Sequence, residues 1–250
     1  MPPLHDDAIC LRHSEWSETS QLATLLCREH GLVRGLARGS RRERSAFSGG
    51  FELLARGHVV FFEKPTRELA NITAWDLNHT HAQLRTDLPS LWAAMFAVDL
   101  MQRALPVREP HPRSFDELAT LLAMPTIGFD ALTTYQWALL DEAGHKPDLE
   151  GNIPPAPSPR AVVYFLPESG RVEADKPAGL TTAWPMRGRT LAALRSITER
   201  NEEGPRPRTD FDTDTWTRAA AFLCTYWMWV LGRPIPAARA VFGDRIGLVE

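Results

Sequence analysis

Gly31-Leu-Val-Arg-Gly-Leu-Ala-Arg-Gly-Ser-Arg-Arg-Glu-Arg-Ser45 is a glycine-punctuated run in which small or apolar residues alternate with arginine. Successive side chains of a strand point to opposite faces, so Val33, Gly35, Ala37 and Gly39 share one face and Arg34, Arg38 and Arg42 the other. The first face suits the inside of a small barrel. The second is an exposed ridge, with guanidiniums about 13 Å apart at each four-residue step if the strand is regular. Arg41 and Arg44 extend the positive field into the following polar loop. Between Arg28 and Arg44 stand six arginines against Glu29 and Glu43, a local net charge of +4 in a chain whose net charge is −3. Such asymmetry points to a polyanionic partner met by one face.

Outward from this run the strands continue. Ser20–Cys27 is an apolar stretch joined to Gly31 by a tight turn, which reads as a hairpin. Ala8–Arg12 precedes it. Phe51–Ala55 and Gly57–Phe62 read as one strand bent or bulged at Arg56-Gly57, and Leu69–Leu77 as a fifth. Five short strands at close spacing with no intervening helix predict an OB-type barrel. Trp16, Phe47 and Phe51 are candidate platforms on which bases would stack.

Near Asp87 the period changes to helical. Leu91, Met95, Val98 and Met101 share a face, with Thr86 or Asp87 as N-cap and Pro89 in the first turn. Ser114-Phe-Asp-Glu117 has the capping-box pattern. Further helices are predicted at Phe129–Ala143, 190–200 and 214–231, the last stopped by Gly232 and Pro234. The resulting class is α+β: a barrel domain over 1–82 and a helical domain over 83–250, interrupted by a proline-rich, cysteine-free insertion at about 147–185. Within that insertion only Ala161–Leu166 looks strand-like, and 201–208 reads as an exposed loop. The aromatic residues of 214–231 read as core.

The 250 residues are 44% hydrophobic and 24% charged, ordinary for a folded domain or two. No apolar run reaches the roughly 20 residues that span a bilayer, and Met-Pro-Pro-Leu-His-Asp-Asp has no signal-peptide order; a cytoplasmic, nucleoid-associated protein is expected. Cys10, Cys27 and Cys224 lack metal or disulfide spacing and read as buried thiols. Asn78-His-Thr-His81 puts His79 and His81 on one side of an extended chain, where with Asp76 they would make a metal site, and a metal-dependent hydrolase is one alternative. No nucleophile elbow, phosphate loop or dinucleotide fingerprint is present.

Ala8-Ile-Cys-Leu-Arg-His-Ser-Glu-Trp-Ser-Glu18-Thr19 and Leu25-Leu-Cys-Arg-Glu-His-Gly31 through Arg41 resemble the N-terminal barrel of the bacterial RecO recombination-mediator family. Leu139-Leu-Asp-Glu-Ala-Gly144-His-Lys-Pro147-Asp148-Leu149, Tyr164-Phe-Leu-Pro-Glu-Ser-Gly170 and the stretch from Phe222 to Arg239 resemble its later segments in the same order. Many members carry four cysteines that hold zinc in the insertion. Here those positions fall on Asn152, Pro155, and near Glu173 and Lys176, so no thiolate remains and no metal or other cofactor is expected. The resemblance implies a DNA-binding accessory protein rather than an enzyme. It implies binding of single- and double-stranded DNA, strand annealing, engagement of the acidic C-terminal tail of the single-strand-binding protein, and action with RecR to load RecA. The DNA-binding candidates are Arg34, Arg38, Arg41, Arg42 and Arg44; Arg103, Arg195 and Arg218 are candidates for the tail. The other alternative is an interaction module that keeps the fold without binding DNA.

Overall fold

A computed structural model describes residues 2–63, 68–153, 158–176, 178–179, 182–203 and 211–246, with backbone alone for 152 and 199–203. The chain divides into two compact units, Met1–Thr126 and Ile127–Glu250.

The first unit opens with five strands: β1 (Leu4–Ser17), β2 (Ser20–Cys27), β3 (Gly31–Ala37), β4 (Arg56–Phe62) and β5 (Ala70–His79). They close in the order β1-β2-β3-β5-β4, the expected OB-type barrel. All pairings are antiparallel except β3 with β5, which is parallel over Gly35↔Ala70 to Ala37↔Ile72. Closure at that seam needs a close backbone approach. A Cβ at Gly35 would stand 2.6 Å from Ile72 Cγ1, so only glycine lets the strands meet there. The predicted bulge at Arg56/Gly57 is present.

The barrel interior is small near β1–β3 (Ala8, Cys10, Ala23, Val33, Ala37) and large near β4–β5 (Phe61, Ile72, Trp75), all essentially inaccessible. Filling a barrel by opposing small and large side chains closes it without voids. Phe51–Ala55 is not strand but an irregular segment that plugs one end. Its backbone groups bond to β1 instead, Leu54 N–H to the Cys10 carbonyl (2.9 Å) and Cys10 N–H to the Ala55 carbonyl (2.8 Å). Phe51 packs 4.9 Å from Trp75, centroid to centroid.

Helices α1 (Leu88–Ala104) and α2 (Pro112–Ala123) complete this unit. Asp87 caps α1 by accepting from Ser90 N–H at 3.1 Å, as the sequence predicts. The capping box at Ser114 is not used as a cap. Pro112 occupies the first helical turn and His111 the cap position, so Ser114 lies inside the helix. After α1 the chain runs beside β3, where Leu32 and Val107 form a parallel bridge.

In the second unit α3 (Phe129–Glu142) stops before Gly144, whose φ of +74° suits glycine. The insertion carries four strands rather than the one expected: β6 (Asp148–Asn152), β7 (Val162–Leu166), β8 (Arg171–Glu173) and β9 (Trp184–Arg187), in the order β6-β8-β7-β9. Prolines 154, 155, 157 and 177 lie outside the described residues. Asn152 and Glu173, two of the positions corresponding to the family's cysteines, face each other in the β6–β8 register. Among the described residues no group of three or more His, Cys, Asp or Glu is placed to hold a metal ion. What holds the sheet is apolar: Phe165 meets Tyr226 at 4.9 Å, Phe222 at 5.1 Å and Trp184 at 5.9 Å. Edge-to-face rings of this kind add to the burial of their own surface.

Helix α4 (Gly188–Glu203) runs into the segment read as a loop, so 201–203 are helical while 204–208 lie outside the described residues. Helix α5 (Thr213–Leu231) packs on α3, with Gln136 donating to the Ala220 carbonyl at 3.1 Å and Trp227 to the Gln136 carbonyl at 3.3 Å. A short α6 (Ala238–Phe242) follows. Among the described residues no helix is long and apolar enough to cross a membrane.

Candidate nucleic-acid interface

The parity expected of β3 holds within the strand: Val33, Gly35 and Ala37 are buried and Arg34 is exposed. The straight three-arginine ridge does not form. The strand ends at Ala37, and Gly39 turns the chain with φ +71°, a conformation open to glycine. Arg38 therefore sits at the turn, exposed. Arg42 N–H closes a turn onto the Gly39 carbonyl at 3.1 Å, and Arg44 follows in the exposed loop.

That loop is pinned to the barrel. Arg41 N–H donates to the Thr19 carbonyl at 3.1 Å and Trp75 N–H to the Ala46 carbonyl at 2.8 Å. Buried Gln21 ties both ends of the loop. Its Oε1 accepts from Phe51 N–H (2.9 Å) and Ser40 Oγ (3.0 Å), and its Nε2 donates to the Phe51 carbonyl (3.2 Å). Arg41 pairs with Glu15, which cancels most of its field. Arg34, Arg38, Arg42 and Arg44 make no ion pair among the described residues.

A fifth guanidinium without an ion pair among the described residues joins them, one that sequence reasoning missed. Arg12 on β1 lies opposite Thr24 on β2, and Thr24 lies opposite Arg34 on β3. At about 4.8 Å per strand the two arginines stand roughly 10 Å apart across one row. They line a groove of about 340 Å³ together with Ser14, Thr24, Gln102 and Val107. Simple alternation would put Arg12 on the same face as Cys10, inside. A bulge between Cys10 and Arg12 reverses the parity and turns Arg12 out.

The other candidates fall out differently. Trp16, 62% exposed near the end of the β1–β2 hairpin, remains available for stacking. Phe47 and Phe51 do not: they are 4% and 2% exposed, and they fill the barrel end. His79 and His81 stack at 6.0 Å with no third donor among the described residues, which leaves the metal-hydrolase reading without a site. Arg195 is buried, its guanidinium donating to the Leu149 carbonyl at 2.7 and 3.1 Å, so it builds the insertion and meets no tail. Arg103 pairs with Asp99 and Arg218 with Asp214. The three thiols are buried as expected.

A sequence profile described as "Recombination protein O N terminal" matches residues 1–81. A DNA repair protein RecO of Salinibacter ruber is 32% identical over 43% of this chain and 42% of its own length. Another, of Geobacter sulfurreducens, is 34% identical over 49% of each. The chain thus spans less than half the length of those two relatives. The DNA repair protein RecO of Rhodospirillum centenum is 31% identical over 96% of this chain and 93% of that protein. This chain belongs to the RecO family. The RecO profile ends two residues after β5, so it covers the barrel and every arginine of the candidate surface.

Proposed function

We propose that this chain serves in recombinational DNA repair as a non-enzymatic mediator, with residues 1–82 as its DNA-binding domain and 83–250 supplying partner contacts. The observation that carries the reading is the Arg12–Arg34 row on the barrel's outer face, without ion pairs among the described residues and continued by Arg38, Arg42 and Arg44. Five such guanidiniums on one closed barrel suit a phosphate backbone, and arginine's planar fork binds phosphate oxygens two at a time. The names of the relatives, DNA repair protein RecO, support the same role.

In this reading the surface binds single- and double-stranded DNA, and neutralising both backbones removes the repulsion that slows pairing of complementary strands. No bond is made or broken. The protein then acts with RecR on DNA coated by single-strand-binding protein, whose acidic C-terminal tail it engages, so that RecA is loaded.

Titration of labelled single-stranded DNA at several salt concentrations tests this. Five phosphate contacts give a log–log slope of about −3.5, at roughly −0.7 each. Joint replacement of Arg12→Ala and Arg34→Ala flattens that slope by about 1.4 and slows annealing of complementary strands coated with the cognate single-strand-binding protein. A slope near zero, or one unmoved by the double variant, refutes the surface.

A further inference from the structure

Charge is only half of what lines the Arg12–Arg34 groove. Along β3, Leu32, Arg34 and Leu36 share the outer face, apolar and basic by turns, each about 6.7 Å from the next. Leu22 on β2 stands opposite Ser14 and Leu36, so an apolar row follows the arginine row. Beside Leu32, Val107 pairs with the strand from the segment after α1. It is 60% exposed, and with Leu22 and Leu32 it lines the same groove as the two arginines.

Val107 is held in that place by its backbone. The Leu32–Val107 bridge is followed by Arg108 N–H, which donates to the Leu32 carbonyl at 3.3 Å. The Glu109 backbone then comes so near Gly31 that a Cβ there would stand 2.0 Å from the Glu109 carbonyl oxygen. Arg108 itself adopts a left-handed φ of +63°, and its guanidinium donates to the Glu68 carbonyl at 3.0 Å. A non-glycine residue keeps that conformation only where its surroundings enforce it, and such residues gather at ligand sites. The result is a rigid strap that presents an aliphatic side chain to solvent beside two guanidiniums.

An occupant that suits the groove carries negative charge for the arginines and an uncovered apolar face for Val107. Double-stranded DNA offers the first without the second, because its bases are stacked inside and only their edges show in the grooves. A single strand offers both, and its unstacked bases pack on protein side chains with little regard to sequence. The volume agrees. At about 340 Å³ the groove lies at the small end of pockets for small molecules, about 300–1,000 Å³, which is room for one nucleotide and none for a duplex.

We propose that the groove is a single-strand site in which Arg12 and Arg34 hold phosphate while Val107, with Leu22, packs against the face of one unstacked base. Val107 is then a specificity-determining residue, favouring single- over double-stranded DNA. The proposal rests on the reading of the barrel as DNA-binding and adds a base contact to a surface otherwise devoted to phosphate.

The test is fluorescence anisotropy on the full chain with three probes. They are (dT)15, a strand of equal length and charge in which every base is replaced by an abasic deoxyribose, and a duplex of the same length. Wild type binds (dT)15 about three- to tenfold more tightly than the abasic strand, the gain expected from covering part of one base with aliphatic surface. Val107→Ser removes most of that preference. Val107→Phe increases it, because an aromatic ring is the better stacking platform. Both variants leave duplex affinity and the salt slope on the abasic strand unchanged. The strap is held by backbone bonds that these exchanges spare, circular dichroism verifies folding, and the opposite signs separate a base contact from a structural loss. Equal, salt-dependent binding of (dT)15 and the abasic strand by wild type overturns the base contact and leaves the phosphate surface standing. So does a preference that survives Val107→Ser, or an equal loss on single strand and duplex. Failure of wild type to bind any of the three probes overturns both readings. Displacement of (dT)15 by an acidic peptide of matched charge at equal concentration assigns the groove to a protein partner and overturns the proposal.

Discussion

Gln21→Met removes the tie between the arginine loop and the barrel while keeping side-chain length and volume nearly constant. Gln21 is 5% exposed, Phe51 2% and Ser40 inaccessible, so the lost partners are not rescued by water. The variant leaves the Phe51 N–H and carbonyl and the Ser40 hydroxyl without their Gln21 partner. A buried group left unpaired costs about 1–3 kcal/mol. Two backbone groups, with relaxation of the more adaptable hydroxyl, then give about 2–5 kcal/mol for the first unit. Because methionine fills the space, little of this is a cavity effect. Urea unfolding followed at the barrel amides by hydrogen exchange measures it, and the Phe51 amide should show the largest loss of protection. A fall under about 0.5 kcal/mol, outside the range for an unpaired buried group, refutes the reasoning. So does unchanged protection at Phe51.

Gly31→Ala places a Cβ at φ +65° and 2.0 Å from the Glu109 carbonyl oxygen, where no rotamer relieves the clash. It should destabilise the first unit by more than about 2 kcal/mol in the same unfolding assay. Asp116, held below the usual carboxylate range chiefly by its hydrogen bond to Arg28, contributes stability that is present above the unfolded pKa and fades as pH falls through the lowered folded value. Asp116→Asn should therefore lower stability slightly at neutral pH, the pair being half-exposed, and flatten the acid limb below about pH 4, so that the two proteins converge toward pH 2 when unfolding is measured from pH 2 to 7. Burial pushes the Cys10 thiol up to about 12 and raises Cys27 and Cys224 as well. None should react with a thiol reagent in the native protein at pH 8, and all three should in urea.

The sequence carries the barrel clearly because its strands are either continuous apolar runs, as in Ser20–Cys27, or clean alternations, as in Val33–Ala37. Both depend only on local order. Phe51–Ala55 has the same apolar look and is not strand, because Leu54 adopts a left-handed φ of +68° that breaks the extended chain. The small sheet of the insertion escaped for a different reason: strands of three to five residues are too short to display a period. Arg12 is the instructive case at the surface. Its place depends on a bulge and on the register of three strands, neither of which is encoded in spacing alone. Arg41, by contrast, is visible as a charge but not as a neutralised one, since Glu15 lies on β1, well back in the chain.

The parallel seam between β3 and β5 has a consequence for how the protein is made. Every other neighbour pair in the barrel can zip from a turn or settle against an existing edge, but this seam joins residues 35–37 to residues 70–72 and completes the ring. During synthesis at about 5–20 residues per second, β1, β2 and β3 leave the ribosome as an open sheet for several seconds before β5 follows. Its exposed β3 edge and its half-filled inner face are then open to unwanted pairing. The charged turn after Ala37, with Arg38 and Arg42, interrupts that edge from the start. The arginines proposed to meet phosphate in the finished barrel thus also place charge beside the open edge of the unfinished one, a device that blunts edge-to-edge pairing.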